Sequence, residues 1–252
     1  MSDGFQKAGV EFGLVAALER EVSGVVRGWI ETEATGANGP QRIYLGEKAA
    51  LICAGTGSGR AYAAAKLLVE KYSPRVLVSM GFAGACVTEL LPGVGQMQAG
   101  AVFVPAMVTE SATGKSFATA FGFGCLVTLD CVAGKSLKQC SVARFGAQVV
   151  DMEAAGVAAV AAEYGLEFVA IKAVSDGVDE DLGFVSEFVK PEGFETGRFV
   201  AHIAVRPWLW QRVAELRVNS ELATKALESA VNSYLKDCTR FSARYSSAAA
   251  EV

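Results

Sequence analysis

The chain has 252 residues, 52% of them hydrophobic and 20% charged, with a formal net charge of −4 from 23 basic and 27 acidic side chains. That length and apolar content can bury one sizeable core and fit a single domain over residues 1–252, and they exclude a disordered or collagen-like chain. The slight acidic excess gives no electrostatic reason to expect a nucleic-acid backbone or an anionic membrane as partner, which leaves a small molecule as the natural ligand.

In chain order, Gly13 to Ala17 reads as a strand and Leu18 to Val26 as the helix after it. The apolar run Phe12 to Leu18 is short and is followed at once by Glu19, Arg20 and Glu21, so it is no signal peptide; the chain is expected to start near Met1 and to be cytoplasmic. Gln41 to Leu45 and Ala49 to Ala54 form two strands around a turn, ending in the glycine cluster Gly55 to Gly59. Arg60 to Tyr72 is a helix stopped by Pro74. The continuous apolar run Arg75 to Met80 fits a strand buried on both faces and ends at Gly81-Phe82-Ala83-Gly84-Ala85.

Leu90 to Thr109 carries no charge, but Pro92 and Pro105 mark it as loop plus strand, and no stable membrane insertion is expected. Ala101 to Val108, Cys125 to Leu129 and Ala147 to Val150 are further strands. The last of these runs into Asp151-Met152-Glu153 and an alanine-rich helix closed by Gly165. Phe168 to Val174 is the last strand, ending at Ser175-Asp176. One or two C-terminal helices follow from about residue 196 to 240, and the small-residue tail from Ser242 is expected to fray. Strands alternating with helices predict an α/β fold, one three-layer unit with a mixed, mostly parallel sheet flanked by helices.

Chemistry belongs at the carboxyl ends of such strands. The candidates there are Glu19 and Glu21, the Gly55 loop, Phe82 to Ala85, Met152 with Glu153, and Asp176. Glu153 matches a vicinal diol with its two oxygens, or else simply complements the dipole of the helix it opens. Asp176 suits a general acid or a turn cap. The glycine loop is neither a dinucleotide nor a P-loop fingerprint, because Arg60 stands where a third glycine would fall; its backbone can still approach a ligand. The six cysteines form no C-x-x-C pair and read as core thiols. His202 is the sole histidine and lies far from every glycine segment, which argues against a histidine metal site or a serine triad.

The segments Gly13 to Val22 (GLVAALEREV), Ser79 to Ala85 (SMGFAGA), Val149 to Ala155 (VVDMEAA) and Lys172 to Asp176 (KAVSD) carry a resemblance. Their order and spacing are similar to methylthioadenosine/S-adenosylhomocysteine nucleosidases and their relatives in the nucleoside phosphorylase superfamily. The resemblance implies cleavage of a purine N-glycosidic bond. Asp176 would serve N7 of the base, Glu153 the ribose hydroxyls, and Glu21 the attacking water; Met152 would pack under the sugar and Ser175 would orient Asp176. Phe82, Ala83, Gly84 and Val132 would line the substrate pocket. No metal or organic cofactor is implied, and the active form would be a homo-oligomer, with a dimer favoured.

Three departures bear on the substrate. Phe82 replaces the serine of the nucleosidases, the stretch between Val104 and Cys125 is short, and Cys131, Val132 and Ala133 stand where a base-stacking aromatic is expected. Phosphorolysis is the alternative, with inorganic phosphate held by Gly57 and Arg60, or by Arg42. Phe82 and the C-terminal region are also similar to hopanoid-associated phosphorylases, which would imply an adenosine-tailed lipid precursor. A silent nucleoside-binding protein is the reading from another class.

Overall fold

The computed structural model describes residues 9–91, 94–180, 182, 185, 187–190, 193–195, 198, 202, 206 and 209–247. Five strands build the centre: β1 (Phe12–Ala16), β4 (Ala49–Cys53), β5 (Val76–Ala85), β12 (Ala147–Asp151) and β13 (Glu167–Asp176). β1 lies between β4 and β5, and β13 lies on the other side of β5, all parallel; β12 meets the far end of β5 antiparallel. The antiparallel β2 (Ile30–Gly36) and β3 (Gly39–Leu45) extend one edge. β9 (Met107–Glu110), β10 (Ser116–Ala118) and β11 (Cys125–Thr128) extend the other, while β6 (Glu89–Leu91) and β7 (Val94–Gln96) pair with each other outside this sheet.

Because the central strands are buried on both faces, successive side chains divide between two cores. Val15, Ile52 and Leu77 face α2 (Ser58–Tyr72) and α4 (Ala154–Tyr164), where Ala61, Ala64, Leu68, Val157 and Val160 complete one cluster. Leu14, Leu51, Val76 and Val78 face the opposite way, onto Ala223, Leu227, Val231 and Tyr234 of the C-terminal helix Trp210–Lys236. The expected three layers are therefore present. Small residues let α2 and α4 approach closely: a Cβ on Gly156 would stand 2.0 Å from the Ser58 carbonyl oxygen.

Several boundaries differ from the sequence reading. β2 was not foreseen, since its residues are largely exposed and carry no apolar stripe. The first helix is the single turn α1 (Glu19–Val22), shorter than Leu18 to Val26. Ala101 to Val108 is split into β8 (Val102–Phe103) and β9. α3 (Lys135–Phe145) is also new, a helix whose mixed sequence hides its buried face. β13 is not the last strand, because the short pair Val189–Lys190 and Gly193–Phe194 follows it. The tail does not fray at Ser242: the helix Cys238–Ser247 continues through it and buries Phe241 against Tyr234. The expected start of the C-terminal helices, 196–209, lies mostly outside the described residues. All six cysteines are free, but Cys131 and Cys140 are exposed and are not core thiols.

No helix among the described residues is long and apolar enough to cross a membrane.

Candidate active site

The most consequential difference is that β5 does not stop at Met80 but continues to Ala85. Gly81 to Gly84 pair with β13 on one side and Gly84 and Ala85 pair with β12 on the other, so Gly84 stands between Asp176 and Val150. A bulge between Val174 and Asp176 shifts the register there, and such an extra residue re-aims the following side chain. The segment Gly81 to Ala85, placed by the sequence after the strand, is thus part of the strand and the spine of the site.

Four acidic residues line one cavity of about 200 Å³ at these strand ends: Asp151, whose side chain is turned away and fully buried against Lys172, and Glu21, Glu153 and Asp176, together with Phe82, Ala83, Gly84, Val132, Met152 and Ser175. Glu21 is 4% exposed. Its Oε2 accepts the amides of Ala17 at 3.1 Å and Leu18 at 3.0 Å, the reach-back of an N3 glutamate that caps its own helix. Oε1 accepts a longer bond from the Phe82 amide at 3.4 Å and is the less committed oxygen. Burial pushes the Glu21 carboxyl above its ordinary range, partly opposed by its backbone hydrogen bonds and by Lys172. Glu19, by contrast, is exposed and pairs with Arg42 at 3.0 Å.

Glu153 precedes α4 as its N-cap residue. Its Oε1 accepts the Gly57 amide at 2.9 Å and its Oε2 the Met152 amide at 3.3 Å. Burial first, and then the neighbouring Asp151, push its carboxyl up to about 8. Asp151 is itself bound to Lys172 at 2.8 Å, with neither side chain exposed, and accepts Thr128 Oγ1 at 2.7 Å. Lys172 Nζ also donates to Ser79 Oγ at 3.0 Å. A buried cation, absent from the sequence-derived list, therefore stands behind two of the three acids.

Asp176 accepts Ser175 Oγ on Oδ1 at 2.8 Å, and Lys138 Nζ on Oδ2 at 2.5 Å. Lys138 comes from α3 and is fully buried. Nothing in its surroundings in the sequence announces this, because it lies in a polar stretch with a lysine three residues before it. Arg20 was missed as well; it lines the cavity, with its guanidinium 5.6 Å from the centre of the Phe82 ring.

The phosphate candidates fare differently. The Gly57 amide is taken by Glu153, Arg42 is held by Glu19 and Glu31, and Arg60 is not among the residues lining the cavity. His202 packs edge-on against Phe188, away from the acids. No group of three or more metal-binding side chains occurs among the described residues.

The cavity opens through Leu18, Arg20, Phe82 and Ser175 into a larger space of about 690 Å³. The Trp210–Lys236 helix forms its far wall with Val213, Leu216, Arg217, Ser220, Glu221 and Thr224.

Comparison with known proteins gives a consistent set of likenesses. Residues 111–203 match the phosphorylase superfamily. The 5′-methylthioadenosine/S-adenosylhomocysteine nucleosidase of Shewanella baltica is 26% identical over 216 residues, spanning 72% of this chain and 91% of that protein. The enzyme of the same name from Shewanella halifaxensis is 25% identical over 205 residues, 68% of this chain and 88% of its own. In structure, the Arabidopsis thaliana 5′-methylthioadenosine nucleosidase aligns with a TM-score of 0.66 at 19% identity, covering 90% of this chain and 95% of that one. Futalosine hydrolase of Helicobacter pylori aligns with a TM-score of 0.61 at 15% identity, covering 89% and 98%. These structures share the mixed, mostly parallel sheet flanked by helices.

Proposed function

We propose that this chain, whose residues 111–203 match the phosphorylase superfamily, cleaves the N-glycosidic bond of an adenine nucleoside and releases the free base. The observation that carries this reading is the convergence of Glu21, Glu153 and Asp176 on one cavity, where no histidine is available to share the work. The curated relatives' names support adenine as the base.

Each acid has a distinct environment and so a distinct role. A purine leaves poorly as an anion, and Asp176 serves N7 so that the base departs neutral. Ser175, bonded to Oδ1, orients it. Glu153 lies beside Met152 and takes the ribose hydroxyls. Burial pushes its carboxyl up to about 8, and positive charge developing at C1′ favours its ionised form, an interaction stronger in the transition state than in the ground state. Glu21, made more basic by burial, takes the proton of the attacking water with the less committed Oε1. Met152, Phe82, Ala83, Gly84 and Val132 shape the walls.

The adjoining space of about 690 Å³ supports a 5′ substituent larger than a hydroxymethyl group, an adenosine-tailed lipid precursor among the candidates. Phosphorolysis stays in view because Arg20 places a cation on the cavity wall, a better anchor for inorganic phosphate than Arg60 or Gly57. The reaction as written uses no metal or organic cofactor. A homo-oligomer, with a dimer favoured, and a cytoplasmic location belong to the same proposal.

The test is chromatography of the products after incubation with adenosine, methylthioadenosine and S-adenosylhomocysteine, with and without phosphate. Free base and free sugar in both buffers is the expected result. Base with a sugar 1-phosphate, formed solely when phosphate is present, would replace water by phosphate and Glu21 by Arg20. Binding of these nucleosides without base release under either condition would overturn catalysis and leave a silent nucleoside binder.

A further inference from the structure

Asp176 is not placed as a lone acid. Both of its oxygens already accept hydrogen bonds, from Ser175 Oγ at 2.8 Å and from Lys138 Nζ at 2.5 Å. Lys138 donates a second proton to the Gly177 carbonyl at 2.6 Å, and the Lys138 and Asp176 side chains are 1% and 7% exposed. A carboxyl group protonated independently of its partner would leave a buried ammonium facing little but a carbonyl, which is costly. Moving a proton within the pair leaves its net charge unchanged.

Resting on the reading of the site as a purine N-glycosidase, we propose that Lys138 is a positioning residue that stores the proton delivered to the departing purine, acting through Asp176. As the C1′–N9 bond breaks, its electron pair enters the purine, and N7 takes a proton from Asp176. That proton reaches the Asp176 carboxylate from the Lys138 ammonium, so Lys138 becomes a neutral amine and Asp176 is left a carboxylate. Water adds to C1′ and gives its proton to Glu21. After the products leave, Glu21 returns that proton to solvent and Lys138 regains one through Asp176, so protons and charge balance over the cycle.

The other groups facing Lys138 leave it this role. Cys86 lies near the pair, and burial pushes its thiol up to about 12, so it neither supplies nor removes a proton near neutral pH. Asp179 is held by Lys135 at 2.7 Å on the exposed side of the same helix. Lys172, the other buried lysine, is committed to Asp151 and Ser79. Gly84 preserves the space for the pair, since a Cβ there would stand 3.0 Å from Lys138 Cε.

The experiment compares two substrates: an adenine nucleoside that the unaltered protein cleaves, and a 4-nitrophenyl riboside whose leaving group departs without a proton. Lys138→Arg keeps a cation but cannot deprotonate, and Lys138→Met removes it. Both are expected to lose kcat on the nucleoside by about 10²- to 10⁴-fold, the usual range for general acid–base catalysis, and by less than about 10-fold on the nitrophenyl riboside. KM for the nucleoside should change by no more than about 3-fold for Lys138→Arg.

Equal losses on the two substrates, or an arginine variant that restores nucleoside turnover, would overturn the proposal and leave a structural ion pair. Should neither variant fold, the solvent deuterium isotope effect on kcat of the unaltered protein decides. It is expected to be larger for the nucleoside than for the nitrophenyl riboside, and equal effects would overturn the relay. If the unaltered protein cleaves no purine nucleoside, the proposed function fails first and takes this inference with it, whereas variant losses unrelated to the leaving group strike Lys138 alone.

Discussion

Replacing Gly84 by alanine isolates the geometry of the proposed acid. Gly84 is not among the positive-φ glycines, so its backbone accepts a side chain without conformational strain. The added Cβ would nevertheless lie 2.7 Å from Asp176 Oδ2, about 0.7 Å inside the 3.4 Å at which ordinary contact begins. Lys138 Cε at 3.0 Å blocks retreat on that side, and Oδ1 is held by Ser175. The carboxylate must therefore shift by several tenths of an ångström, and a misplacement of about 1 Å costs on the order of 10²-fold in rate. Overpacking of this kind costs about 1–3 kcal/mol of stability, too little to explain lost activity in a sample that remains folded. The expected outcome is a fall in kcat of about 10- to 100-fold by base release, with a single cooperative thermal transition retained. Gly59→Ala is the control, because nothing lies within 4 Å of its Cβ. Turnover of Gly84→Ala within about 3-fold of the parent would refute the placement of Asp176 at the reacting base.

Two further substitutions test the electrostatics behind the other acids. Glu153 is pushed up to about 8 from 4.5; the folded protein therefore holds a proton that the unfolded chain loses first, and its contribution makes stability fall as pH rises from about 4.5 through about 8. Glu153→Gln cannot ionise, so chemical denaturation is expected to show a flatter pH dependence and a relative gain over the parent at pH 9 that is absent at pH 4. Parallel curves would count against the shift, and unchanged kinetics toward ribosides would count against its role at the sugar. Lys172→Met would leave the Asp151 carboxylate buried without its cation, which should cost about 3–5 kcal/mol by denaturant unfolding and push Glu21 and Glu153 higher still, because Lys172 lowers both. A loss under about 1 kcal/mol would mean that Asp151 does not need its ion pair.

How much of this was legible in the sequence depends on where each signal is written. The buried strands announce themselves because burial on both faces requires a nearly continuous apolar run, as in Val76–Met80 and Phe168–Val174, interrupted by the buried Ser79 and Lys172. β2 (Ile30–Gly36) escaped because every one of its residues is polar, small or exposed and its pairing with β3 is carried by the backbone. The end of β5 was misread for a related reason: Gly81, Ala83 and Gly84 signal a turn, whereas here small residues let two neighbouring strands bring acids close.

The three acids were readable because each follows, or caps the helix after, an apolar strand, and position along the chain then maps onto position in space. Lys138 and Arg20 lacked that link. Each lies on a helix among charged neighbours, where local sequence cannot tell a solvated lysine from one aimed inward, and the distinction is set by what stands opposite. Opposite Lys138 are Asp176, 38 residues on, and the side-chain-free Gly84, more than fifty residues before it. A buried cation needs a buried anion, so finding Asp176 at a strand end could have prompted a search for its partner. It could not have chosen among the lysines, because Lys135, one turn earlier on the same helix, is paired with the exposed Asp179. The chemistry of the acid is thus set as much by a helix with no recognisable motif as by the V-S-D sequence that carries it.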